Sequence, residues 1–140
     1  LRVDGVPPSL AVAQAAIESG WGTSRFAAEG NALYGQWTEE GAQGMVPANR
    51  KPGRTYAIQR FKSLSASVEA YLRNLNTHRA YRAFRRARAI QRRTGGVVRG
   101  APLAPELRAY SQEGMKYVQT ILSIIDKNGL DALDRTALAP

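Results

Sequence analysis

The sequence predicts an α+β domain, mostly helical, with a small β-hairpin lobe inserted after the first two helices. Three observations predict it. Apolar residues recur at helical spacing over several separate stretches. Between about residues 36 and 62 the pattern changes to short strand-like pieces separated by Pro- and Gly-containing turns. The 140 residues, 44% hydrophobic, suffice for one core and hold no run near the roughly 18 apolar residues of a membrane-spanning helix. A single domain over residues 1–134 is expected, with a loose tail at 135–140.

The first helix is expected over Ser9–Ser19. Pro7-Pro8 cannot lie inside a helix, so Ser9 is the natural N-cap, and Gly20 stops the far end. Leu10 to Ile17 is apolar nearly all round, which predicts a central helix. Thr23-Ser24 cap a short second helix ending near Gly30. In the β lobe, Trp37, Met45-Val46 and Thr55–Phe61 are the strand pieces, and Pro47–Gly53 is the turn between the last two. Helices resume at Ser65 with Val68, Tyr71, Leu72 and Leu75 on one face. From Arg79 to Arg93 the expected inward set is Tyr81, Phe84, Ala87 and Ile90, with the arginines outward, and Gly95-Gly96 ends the helix. A short helix at Pro105–Tyr110 precedes a long one at Glu113–Lys127, whose seam is expected to be Met115, Val118, Leu122 and Ile125. Asn128-Gly129 is a helix stop. A cleft between the helical part and the β lobe is where a long substrate is expected to lie.

The net charge is +9 and unevenly placed: residues 50–99 hold 14 of the 20 basic residues and one of the 11 acids, Glu69. Such a face attracts polyanions, or is simply solvated. There is no cysteine and one histidine, His78, read as a helix-end residue; disulfides and thiolate metal sites are excluded, and no metal or other cofactor is expected. Phosphate-binding glycine loops and serine-hydrolase elbows are absent from the sequence. The chain opens on Leu1 with neither an initiator Met nor a leader, as expected of a trimmed fragment.

Glu18 is the most unusual residue. It ends an almost wholly apolar helix, where burial and the negative helix end both favour the protonated acid. A protonated Glu at a cleft wall donates to a glycosidic oxygen. The alternative is a Glu that bonds a neighbouring loop or turns to solvent.

The segment Ala13-Gln14-Ala15-Ala16-Ile17-Glu18-Ser19-Gly20-Trp21-Gly22, followed by Asn31-Ala32-Leu33-Tyr34-Gly35, resembles the glucosaminidase domain of glycoside hydrolase family 73. Gly30 to Trp37, Gly44-Met45-Val46-Pro47, Arg73 to His78 and Tyr110-Ser111-Gln112-Glu113-Gly114 with Tyr117-Val118 are similar to its Bax-type subgroup. The similarity runs over about residues 4–130. It implies a lysozyme-like α+β fold, hydrolysis of N-acetylglucosaminyl bonds in peptidoglycan and an exported protein of the bacterial envelope, with the periplasm as its expected place. It maps the catalytic acid onto Glu18 and a cleft tyrosine onto Tyr110.

A second carboxylate is less well marked. The β lobe offers Glu39 and Glu40, adjacent on a strand, so at most one faces the cleft, with a slight preference for Glu40; both are equally readable as solvated turn acids. Without either, the substrate's own N-acetyl group can serve. Trp21, Tyr34 and Trp37 are candidate sugar platforms or core aromatics. Asn31 and Gln36 are candidate partners for N-acetyl or hydroxyl groups, or fix the loop into the β lobe. Two other functions share the pattern: a lytic transglycosylase on the same fold, and a basic module for wall polymer or nucleic acid. No groove-reading motif supports nucleic acid as the partner.

Overall fold

The computed structural model describes residues 3–136 apart from 40, 42 and 43, and for Glu39 the backbone alone. The described elements are α1 (Pro8–Ser19), α2 (Arg25–Gly30), β1 (Trp37–Glu39), β2 (Gly44–Met45), β3 (Tyr56–Gln59), α3 (Leu64–Thr77), α4 (Arg82–Arg93) and α5 (Met115–Lys127). Short 3₁₀ segments lie at Arg79–Tyr81, Ala101–Tyr110 and Leu130–Arg135. This is the mostly helical α+β class expected. The expected tail at 135–140 falls mostly outside the described residues, which stop at Thr136.

The chain forms two compact units, Ala15–Tyr71 and the remainder. In the first, the sheet is antiparallel with strand order β1-β3-β2, so β3 is central and the lobe is one strand richer than a hairpin. Trp37 pairs with Ile58, Glu39 with Tyr56, and Met45 with Ile58. Ala32, Met45 and Ile58 form its buried cluster, with Phe26 and Phe61 packed against it. The end of α2 is stitched to the end of β3. Phe61 N donates to Gly30 O, Asn31 Nδ2 donates to Phe61 O, and the Arg60 guanidinium donates to Glu29 O.

In the second unit the start of α1 departs from expectation. Helix α1 begins at Pro8, and Ser9 lies buried in its first turn rather than capping it. The cap comes from 125 residues away: Asp134 accepts from Ser9 N (2.9 Å) and Ser9 Oγ (2.7 Å), and also from Gly100 N (2.8 Å). A carboxylate at a helix N-terminus satisfies orphan N–H groups and opposes the positive dipole end. Val12 is exposed, so α1 buries a broad face and not its whole circumference.

Helix α4 corrects the expected seam. Tyr81, Phe84, Arg85 and Arg88 are buried, and Ile90 is exposed. Arg85 donates to the carbonyls of Leu75 and His78, both at 2.9 Å, at the end of α3. Arg88, only 1% exposed, donates to the carbonyls of Asp4 and Gly5 and to Asn76 Oδ1 at 2.6 Å. Its Nε lies 3.4 Å from Asp4 Oδ2, and its guanidinium sits over the Phe84 ring. Arg92 closes the group with a 2.7 Å bond to Asp4 Oδ1. That bond is the main reason the Asp4 carboxyl is held below its ordinary value, while burial pushes Arg88 down and Asp4 opposes that push. The seam of α5 is Tyr117, Val118, Ile121 and Ile125; Met115, expected inside, is exposed.

Candidate active site

The last turn of α1 carries Glu18 and Ser19 into a tightly built corner. Ser19, buried, donates from Oγ to Ala15 O at 2.5 Å and accepts from Gly22 N at 2.8 Å. Trp21 N donates to Ala16 O, and Ser24 N donates to Ser19 O. These bonds satisfy carbonyls that a helix end leaves open, in the manner of a Schellman turn. Gly20, Trp21 and Gly22 all have positive φ, at 56°, 57° and 79°. Two of the three are glycines, for which that region is unstrained; Trp21 is not. Its indole is 62% exposed.

Glu18 itself is half-buried. Its carboxylate lies against the backbone of Gly35, so closely that a Cβ placed on residue 35 would stand 2.8 Å from Oε2. Gly35 also has φ +61°. The glycine therefore has two jobs: it makes the turn and it leaves the carboxylate its seat. Gly35→Ala is expected to lower stability by about 1–2 kcal/mol, the usual cost of a side chain in the left-handed region, and to lower activity about tenfold or more by displacing the acid. Gly53→Ala is the control. Residue 53 has φ +77° but open space around the added methyl, so it carries the backbone penalty alone. Equal activity in the two variants at matched stability would show that the seat is unimportant.

The remaining candidates in this unit separate cleanly. Trp37 on β1 is 61% exposed and stacks one ring face on Tyr56, with centroids 4.5 Å apart. It is held firmly while keeping surface to offer. Tyr34 is buried and stacked on Tyr71 at 3.8 Å, and burial pushes its phenol above the ordinary value. Its ring is a packing element, not an open platform. Asn31, in the left-handed region at φ 51°, caps α2 and ties it to Phe61, so its side-chain N–H is committed to the loop. Gln36 has a buried side-chain Oε1 with no hydrogen-bond partner among the described residues. Glu39 ends β1 opposite Tyr56; its side chain, and the whole of Glu40, lie outside the described residues.

Tyr110 belongs to the other unit. It ends the Ala101–Tyr110 segment, half-buried between Tyr81 (6.0 Å, tilted) and Tyr117 (5.9 Å, parallel). Tyr117 is anchored by the buried Gln14, whose Nε2 donates to its hydroxyl at 2.9 Å. His78 caps the Arg79–Tyr81 turn: its Nδ1 accepts from Ala80 N, so it is bound into the backbone. Among the described residues no group of three His, Cys, Asp or Glu side chains is placed to hold a metal ion, and no helix is long and apolar enough to cross a membrane. Neither the seat at Gly35 nor the anchoring by Ser19 is among the roles expected from the sequence. The signal was there in part: a lone glycine between Tyr34 and Gln36 marks a left-handed turn or a close approach.

Residues 1–130 match the family model described as glucosaminidase, mannosyl-glycoprotein endo-beta-N-acetylglucosaminidase. The chain is 36% identical over 127 residues to Protein bax of Escherichia coli (strain K12), which covers 91% of this chain and 44% of that protein. It thus spans less than half the length of this curated relative. No solved structure matches it. The match over nearly all of the chain, on a helical α+β fold with a small antiparallel sheet, shows that the chain belongs to the glucosaminidase family and its lysozyme-like fold class.

Proposed function

We propose that this domain is a peptidoglycan hydrolase that cleaves N-acetylglucosaminyl bonds with Glu18 as general acid. The observation that carries the proposal is the seating of the Glu18 carboxylate on Gly35 at the end of α1, beside a turn that projects Trp21. A carboxyl group seated at a helix end that leads into an exposed indole suits a sugar substrate: aromatic rings pack on the apolar faces of pyranoses while the acid reaches the glycosidic oxygen. In the first step the Glu18 proton passes to that oxygen and the bond to the anomeric carbon breaks. The acetamido carbonyl oxygen, or a second carboxylate, stabilises the carbon left behind. Water then adds there, and its proton returns to Glu18. Trp37 supplies a second stacking surface. The substrate places the protein in the bacterial envelope.

The test is chemical. Purified peptidoglycan digested with the chain is reduced with borohydride and its fragments are weighed. Termini bearing reduced N-acetylglucosamine are expected. Products that resist reduction and are one water lighter would assign the domain to the lytic transglycosylases, in which the muramic acid 6-hydroxyl attacks in place of water.

A further inference from the structure

Helix α4 has two arginine populations. The inner one, Arg85 and Arg88, is buried and bonded to backbone carbonyls, and Arg92 is bound to Asp4. The outer one is different. Arg82, Arg86 and Arg93 are exposed and their side chains make no hydrogen bond or ion pair among the described residues, and the same holds for the Arg79 side chain one turn earlier. Together with Ile90, the residues at 82, 86, 90 and 93 recur every three or four positions and so form one stripe. It extends about 16 Å at the helical rise of about 1.5 Å per residue. No acid occurs between residues 70 and 99 to neutralise it.

Ile90 stands inside this stripe and is 53% exposed. A shallow cavity of about 180 Å³ lies there, lined by Arg86, Ala89, Ile90 and Arg93. Charge alone would suit any polyanion. The apolar residue discriminates. A nucleic acid would leave Ile90 in water, and the sugar faces of a wall glycan carry no row of phosphates for the arginines. An anionic phospholipid layer places phosphates over the guanidiniums and an apolar phase directly beneath them, where an isoleucine gains. Arginine suits the phosphates better than lysine, because its planar fork binds two oxygens at once.

We infer that the exposed face of α4 docks the domain onto an anionic phospholipid surface, with the outer arginines on headgroup phosphates and Ile90 at the acyl boundary. The inference is independent of the hydrolase proposal, since none of these residues belongs to the site around Glu18.

Vesicles of equimolar phosphatidylglycerol and phosphatidylcholine, sedimented with the full chain, test it, with pure phosphatidylcholine vesicles as reference. Binding is expected on the anionic vesicles and not on the neutral ones, and it should weaken as salt rises. The triple variant Arg82→Gln, Arg86→Gln, Arg93→Gln should lower the partition coefficient about a hundredfold with an unchanged melting curve. Ile90→Asn, which keeps every charge, should lower it about fivefold. Absence of binding to anionic vesicles overturns the inference. So does vesicle binding indifferent to Ile90→Asn, combined with equally tight binding of soluble polyphosphate or duplex DNA, which would make the stripe a general polyanion site.

Discussion

Glu18→Gln is expected to reduce lysis of purified peptidoglycan by at least about a hundredfold, the lower end of what a general acid contributes. The amide keeps the size of the side chain and fills the same seat on Gly35, so what disappears is the transferable proton. Stability should change by less than about 1 kcal/mol, the range of ordinary substitutions that disturb no packing. Turbidity of a peptidoglycan suspension reads the activity, and a thermal melt reads the fold. Glu29→Gln is the matched control. Glu29 meets Arg25 at 3.7 Å on the surface, both side chains about half exposed, and such a pair contributes at most about 1 kcal/mol. Full activity in Glu18→Gln with a normal melt would remove Glu18 from the mechanism.

Arg88→Ala should produce the largest stability loss in the chain, about 3–5 kcal/mol, because a buried charged partner is deleted from a network that cannot re-form with water. Asn76 Oδ1 and the Gly5 carbonyl lose the Arg88 donor at once, and the Asp4 carbonyl keeps only Asn76 Nδ2. A fall in melting temperature of about 10 °C or more is expected. Asp4→Ala should cost less alone, and the double variant less than the sum, since both remove the same pair. The pH dependence has a definite sign. The Asp4 carboxyl is held low in the folded protein by Arg92 and Arg88, so its contribution is complete at neutral pH and is lost as pH falls through that lowered value. Asp4→Ala should therefore flatten the acid side of the stability profile. Additive losses in the double variant would refute the coupling.

Much of the fold is legible in the sequence because it is local. Pro7-Pro8 and Gly20 bracket α1, Ser24 caps α2, and Asn128-Gly129 ends α5, each by chemistry confined to a few neighbouring residues. What is not legible depends on partners far along the chain. Asp134 replaces Ser9 as the cap of α1 from 125 residues away. Arg85 and Arg88 are read as solvent-facing because the apolar spacing turns Tyr81, Phe84, Ala87 and Ile90 inward, yet their acceptors are mostly backbone carbonyls, which every sequence has and none advertises. In α5 apolar residues occupy more than one face, so periodicity alone leaves two seams open, and packing chooses the one through Tyr117 and Ile121. At the candidate site, the position of Glu18 at a helix end is readable; the seat on Gly35 is not, because it joins two segments seventeen positions apart.

The turn at Gly20-Trp21-Gly22 makes residue 21 a position where the smallest residue would be the most comfortable one. A bulky side chain there is held against its own conformational preference, by a margin of about 1 kcal/mol. The flanking glycines and the Ser19 anchor make that affordable, but they do not require an indole. A sequence optimised for folding alone would relax this corner. That tension fits the sugar-stacking role proposed for Trp21, whose exposed ring would meet the substrate outside the molecule.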